Sequence, residues 1–182
     1  MKSGTLKLTA AMAVLLVASA CASTRTQQSA GEVIDDTVLT SKVKMALIDD
    51  PITKAGQINV ETYRGVVQLG GFVDNAEQRD QAGRVARSIE GVTEVRNDLR
   101  ISTTAETAGD VIDDSMLTTS VKAKLIEDPT TKAYRINVGT QQGVVQLTGF
   151  VASTEVRARA GELARSVKGV VDVKNDLEIR QN

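Results

Sequence analysis

The sequence predicts an α+β chain: two tandem αββαβ domains, each a three-stranded sheet with two helices on one face. Three observations predict it. Residues 33–101 align on residues 111–179 without a gap, at an offset of 78, with 41 identities in 69 positions. A period this long marks a duplicated small domain, not a stacked solenoid repeat. Within each copy, apolar spacing alternates between the helical i, i+4, i+8 pattern and the two-residue period of a strand. Gly65 and Gly143 interrupt the two-residue pattern at matching places and predict a hairpin turn.

The first segment stands outside these domains. Lys2 and Lys7 precede an apolar run over 8–18, LTAAMAVLLVA, which is too short to span a bilayer as a helix. The stretch VASAC that follows resembles a bacterial lipobox, with Cys21 as the lipidated residue after removal of a signal peptide over 1–20. An ordinary secretory signal ending before a Cys is the alternative. Ala22, where an Asp would favour inner-membrane retention, implies the outer membrane. Residues 21–31 are polar and predict a flexible tether. Ten such residues reach ~17 Å as a coil.

The first domain is assigned to 32–102, the linker to 103–109, and the second domain to 110–182. Each copy opens with an Asp pair, Asp35/Asp36 or Asp113/Asp114, read as helix N-caps. An apolar stripe follows, Leu39, Val43 and Leu47 or Leu117, Val121 and Leu125, and Pro51 or Pro129 ends the helix. Next come INVETYRGVVQLGGFV and INVGTQQGVVQLTGFV, each a hairpin. Gly71 and Gly149 sit inside the second strand, where glycine weakens a strand unless another group approaches closely. The expected neighbour is the second helix. That helix offers a small-residue face, Ala82, Gly83 and Ala86 or Ala160, Gly161 and Ala164, with Gly91 and Gly169 as C-cap signals. VTEVRNDLRI and VVDVKNDLEI close each copy as a third strand.

The motifs VIDD[ST]xLT, GVVQLxGFV and NDLxI, in this order and spacing in both copies, resemble the BON domain. The resemblance covers about 138 residues (69 + 69). It implies binding to phospholipid, especially anionic lipid, and support of envelope integrity, with no enzymatic activity. Dual-BON envelope proteins include outer-membrane lipoproteins and soluble periplasmic stress proteins, and Cys21 favours the lipoprotein kind.

The composition agrees with a non-catalytic role. The chain of 182 residues has no His and one Cys, which removes the commonest general base, a disulfide and a thiolate zinc site. A net charge of −1 lacks the basic field of a nucleic-acid binder. The adjacent Asp pairs have no nucleophile or His beside them, and Asp49/Asp50 and Glu127/Asp128 lack a calcium-loop pattern. VQLGGFV lacks the spacing of a phosphate loop. No catalytic residue, cofactor or metal is expected.

Differences between the copies point to a lipid contact. Ala46 is matched by Lys124, Gly56 by Tyr134 and Gln57 by Arg135. With Lys122 and Lys132 these form the candidate lipid-binding set of copy 2, suited to an anionic interface. Tyr63 and Arg64 form a competing candidate in copy 1. The alternative partner is an envelope protein docking on an uncovered sheet face or edge.

Overall fold

The computed structural model describes residues 30–53, 57–102 and 113–180, with side chains from residue 35 onward. The signal segment, Cys21, all but the last two residues of the tether, and the linker lie outside the described residues.

Copy 1 runs α1 (Ala30–Asp49), β1 (Gln57–Tyr63), β2 (Val66–Val73), α2 (Ala76–Arg87), β3 (Glu94–Asn97) and β4 (Arg100–Ile101). Copy 2 runs α3 (Asp114–Glu127), β5 (Asn137–Gln141), β6 (Val144–Val151), α4 (Thr154–Arg165) and β7 (Asp172–Ile179). This is the expected αββαβ order, twice. In each sheet the second strand is central, antiparallel to the first and parallel to the third. The third strand is continuous in copy 2. In copy 1 it breaks at Asp98 and Leu99 into β3 and β4, both paired with β2.

Both helices of a copy cover one sheet face. Val43 and Leu47 from α1 and Ala82 and Ala86 from α2 meet Val60, Val67, Leu69 and Val73 in one buried core. Leu117, Val121, Leu125, Ala160 and Ala164 do the same over Val138, Val145, Leu147 and Val151. The small faces let α2 and α4 sit close. The Asn97 amide reaches past Gly83 to donate to the Arg79 carbonyl at 2.7 Å, and Asn175 repeats this past Gly161 on Arg157.

The Asp pairs work differently from the expected caps. Helix α1 begins at Ala30, so Asp35 and Asp36 lie within it. The Asp36 carboxylate is buried and accepts the backbone N–H groups of Arg64 (2.8 Å) and Gly65 (3.0 Å) in the β1–β2 turn. In copy 2 the roles divide. Asp113 is the N-cap and accepts from the Ser115 N–H, while Asp114 takes the N–H groups of Gln142 (2.6 Å) and Gly143 (2.9 Å). Each second Asp therefore clips its helix to its hairpin. Both residues of each turn have positive φ, 51° at Arg64 and 77° at Gly65, 51° at Gln142 and 73° at Gly143, as a type I′ turn requires.

Two glycine expectations are corrected. Gly71 (φ 116°) and Gly149 (φ 133°) do not face the second helix. A Cβ there would strike the backbone carbonyl of Gln57 or Arg135, on the neighbouring strand side, because each chain bends at this point to turn its N–H outward. Helices α2 and α4 end at Ser88 and Ser166, before Gly91 and Gly169. The serine hydroxyls donate to Val85 O (2.8 Å) and Leu163 O (2.7 Å) and close the last turn, and the glycines take positive φ in the turn that follows.

The sheet faces turned away from the helices pack against each other. Gln68 and Gln146, only 1% exposed, lie at the centre of this interface. The expected docking of a partner on an uncovered sheet face is therefore corrected: those faces cover one another. The layers run helices, sheet, sheet, helices.

Candidate functional site

The interface between the copies obeys a pseudo-two-fold relation. The Gln68 amide donates to Asp98 Oδ2 (2.7 Å) and to the Asp176 carbonyl (2.6 Å), and its Oε1 accepts the Gly149 N–H (2.8 Å). Gln146 makes the same set with Asp176, Asp98 and Gly71. The bent backbone at each glycine exists to aim that N–H across the interface. Burial raises the pKa of the Asp98 carboxyl, against the Gln68 hydrogen bond, and the neighbouring Asp176 and Glu178 push the same way.

Around this centre the copies have diverged in complementary fashion. Copy 1 supplies cations and copy 2 anions: Arg100 binds both oxygens of Asp176 (2.8 and 3.1 Å) and Arg96 reaches Glu178 (2.9 Å). Gly70 faces its own counterpart, Thr148, whose side chain fills the space a Cβ would need.

The periphery is asymmetric. On one side Ser102 donates to Gln141 (2.7 Å), beside a cleft of about 840 Å³ between the copies. The counterparts of Ser102 and Gln141 are Arg180 and Tyr63. There the Arg180 guanidinium lies 5.3 Å from the Tyr63 ring centre and 5.5 Å from that of Tyr134. Arg64 lies 5.7 Å from the same Tyr63 ring, and Phe150 packs against it at 5.5 Å. Cation–π pairs of this kind hold a guanidinium in place without neutralising it.

A second surface lies on α3. Directly opposite its buried stripe run Met116, Thr119, Ala123 and Ile126, with Met116 64% and Ile126 69% exposed. This helix is apolar on both faces. At about 100° per residue, Lys122 and Lys124 leave opposite flanks of the outward stripe. Helix α1 carries a matching outward stripe at Val38, Met45 and Ile48.

The five sequence-proposed lipid residues thus fall into separate places. Lys122 is exposed beside the α3 stripe, and Lys124 donates to Ser166 Oγ at 2.8 Å. Lys132 is exposed in the turn after α3. Tyr134 packs on the second core and under Arg180, with Arg135 exposed next to it. The structure joins Tyr134 to the rival pair Tyr63 and Arg64 through Arg180. Sequence reasoning missed Arg180, Met116 and Ile126. The last two were legible as a second apolar stripe on α3. Arg180 had no local signal, because its partners are distant in sequence.

The fold and this junction define a protein made of two small α+β domains docked face to face. Residues 35–103 and 113–181 match the BON domain, and the chain belongs to that family. It is 39% identical over 151 residues to osmotically-inducible protein Y of Escherichia coli (strain K12), covering 82% of this chain and 75% of that protein. It is 37% identical to outer membrane lipoprotein DolP of Haemophilus influenzae, over 80% of this chain and 75% of that one. A 21 kDa hemolysin of Actinobacillus pleuropneumoniae is 35% identical, over 79% and 73%.

Proposed function

We propose that this chain is a non-enzymatic envelope protein, anchored to the outer membrane through Cys21, that binds anionic phospholipid through copy 2 and supports membrane integrity. The observation that carries the reading is α3. Its outward stripe of Met116, Ala123 and Ile126 is rimmed by Lys122 and Lys124, an arrangement that suits a helix lying at a lipid surface. Lys132 and Arg135 add charge at the end of the same copy. The likeness to an outer membrane lipoprotein supports the location and the lipid anchor.

Vesicle co-sedimentation of the chain from residue 22 onward tests the lipid contact. Binding is expected to anionic vesicles and not to neutral ones, to weaken with salt, and to be lost in Met116→Gln/Ile126→Gln with Lys122→Gln. Equal binding to both vesicle types, or full binding by the triple variant, overturns the site. Fractionation of Cys21→Ser tests the anchor: the variant is expected in the soluble periplasmic fraction, and wild-type recovery with membranes overturns it. A soluble stress-protective periplasmic protein is the alternative, which recovery of the unsubstituted protein in the soluble periplasmic fraction would favour, given the likeness to osmotically-inducible protein Y.

A further inference from the structure

We propose that the cleft between the copies, at Asn59, Phe72 and Gly139, is a binding site for a neutral saccharide. It goes beyond the membrane reading of α3, in which none of these three residues takes part. The pseudo-two-fold shows how the site arose. Asn59 and Asn137 are counterparts, as are Glu61 and Gly139, and Phe72 and Phe150. On the far side of the interface the Asn137 amide donates to the Glu61 carboxylate of the other copy at 3.1 Å, and the Phe150 ring packs on Tyr63 at 5.5 Å. On the cleft side Gly139 stands in place of the glutamate and Gln141 in place of the tyrosine. The Asn59 amide has thus lost its acceptor, and among the described residues it has no hydrogen-bond partner. The Phe72 ring has lost its aromatic neighbour. A Cβ on Gly139 would lie 3.5 Å from the Phe72 Cε2, so any side chain there would lie against the ring.

An amide and a ring are therefore both released into one space, a cleft of about 840 Å³. That volume falls within the roughly 300–1,000 Å³ of small-molecule sites. Its chemistry selects against ions. Among the described residues no lysine or arginine lines it, so an anion would meet no counter-charge. Its two carboxylates are committed within the fold: Asp114 accepts the Gln142 and Gly143 N–H groups at 2.6 and 2.9 Å, and Asp74 accepts the Gln78 amide at 3.2 Å.

What remains for a ligand is uncharged. The Asn59 and Gln57 amides each offer two donor hydrogens and an acceptor oxygen. A sugar hydroxyl, which donates one hydrogen and accepts through its lone pairs, matches such a group in both senses. The C–H face of a pyranose ring matches the apolar face of Phe72, whose π-system carries partial negative charge. The cleft needs residues of β1, β2 and β5, so neither copy alone contains it.

The chain from residue 22 onward, which keeps every described residue, is titrated into the millimolar range with three neutral trisaccharides: maltotriose, cellotriose and triacetylchitotriose. The Asn59 and Gln57 side-chain amide resonances are followed. Saturable shifts are expected with at least one of the three. Asn59→Ala is expected to weaken binding about threefold to tenfold with unchanged melting, since its amide holds no partner in the fold. Phe72→Leu is expected to weaken it about fivefold or more. Gly139→Glu restores the glutamate of the other side, fills the cleft and occupies the Asn59 amide, and is expected to abolish the shifts in a folded protein. Asn59→Ala is expected to bind anionic vesicles as wild type does, so this site and the α3 reading stand or fall separately. No saturable shift with any trisaccharide, wild-type affinity in Gly139→Glu, or a response of the same amides to the blocked peptide N-acetyl-trialanine amide in place of the sugars overturns the proposal.

Discussion

Gln68 and Gln146 hold the two copies together by exchanging one hydrogen-bond pattern: each side-chain oxygen accepts a glycine N–H of the other copy, Gly149 for Gln68 and Gly71 for Gln146, at 2.8 and 2.7 Å. Each amide also donates to the two aspartates, Asp98 and Asp176, one through its side chain and one through its carbonyl. A buried polar network of this kind is stable only when complete. Gln146→Leu is therefore expected to destabilise the protein by about 2–4 kcal/mol, since it strands the Gly71 N–H and two acceptors. Urea unfolding measures this. Both copies should unfold together at the lower midpoint, because the network belongs to both.

The bent strands carry the same lesson. Gly71→Val places a side chain at φ 116° and against the Gln57 carbonyl. Overpacking and backbone strain cost about 1–3 kcal/mol each, so a loss of about 2–6 kcal/mol is expected. Gly149→Val should match it. Two separate melting transitions in either variant would show that the copies are independent, contrary to the shared interface.

The helix-to-hairpin clip predicts a difference between copies. Asp36 is buried and Asp114 half-buried, although both accept two turn N–H groups. Asp36→Ala is expected to cost about 1–3 kcal/mol as the two donors lose their acceptor in a dry site. Asp114→Ala should cost less, because water can reach its turn. Thermal melting of the two variants compares them directly.

Much of this fold was legible because the duplication wrote it twice. The stripe of Leu39, Val43 and Leu47, the turn glycines and the small faces of α2 and α4 are local patterns with local causes. The interface was not legible. Gln68 and Gln146 occupy the alternate positions of an amphipathic strand, where a polar residue ordinarily meets water. Only their identity in both copies, at the centre of an otherwise apolar strand, hinted at a common partner. The Tyr63 and Tyr134 contacts were split for a similar reason: they sit in different copies at non-equivalent positions and meet through Arg180 alone.

Asp98 supplies a pH dependence. Its pKa is raised in the folded protein, chiefly by burial, so the folded state binds the proton more tightly than the unfolded chain does. Its contribution to stability is full below the ordinary value of 3.8 and is lost as pH rises through the raised folded value. Asp98→Asn keeps an acceptor for the Gln68 amide and removes the charge. The variant is expected to be at least as stable as wild type near neutral pH, with the advantage shrinking as pH falls through the raised value. Urea midpoints between about pH 4 and pH 7 follow this. A variant less stable than wild type at neutral pH would show that the carboxylate is needed in its ionised form.

The pairing of Gly70 with Thr148 gives the sharpest test of the pseudo-two-fold. These residues are counterparts, each at the same place in its own copy, and they meet across the interface. A Cβ on Gly70 would lie 2.5 Å from the Thr148 Cγ2 and 2.6 Å from its Oγ1. One small and one larger residue therefore fill a space that two threonines cannot share. Gly70→Thr alone is expected to cost about 1–3 kcal/mol through overpacking. Thr148→Gly alone is expected to cost about 1 kcal/mol or more, from a lost methyl contact and a more flexible strand. Exchanging them, Gly70→Thr with Thr148→Gly, puts the larger residue on the other copy and restores the fill. The double variant should recover most of the sum of the two losses, a coupling of at least about 1 kcal/mol in a double-mutant cycle. Additive losses would mean that the two residues do not share one space, and that the copies are not docked through these strand faces.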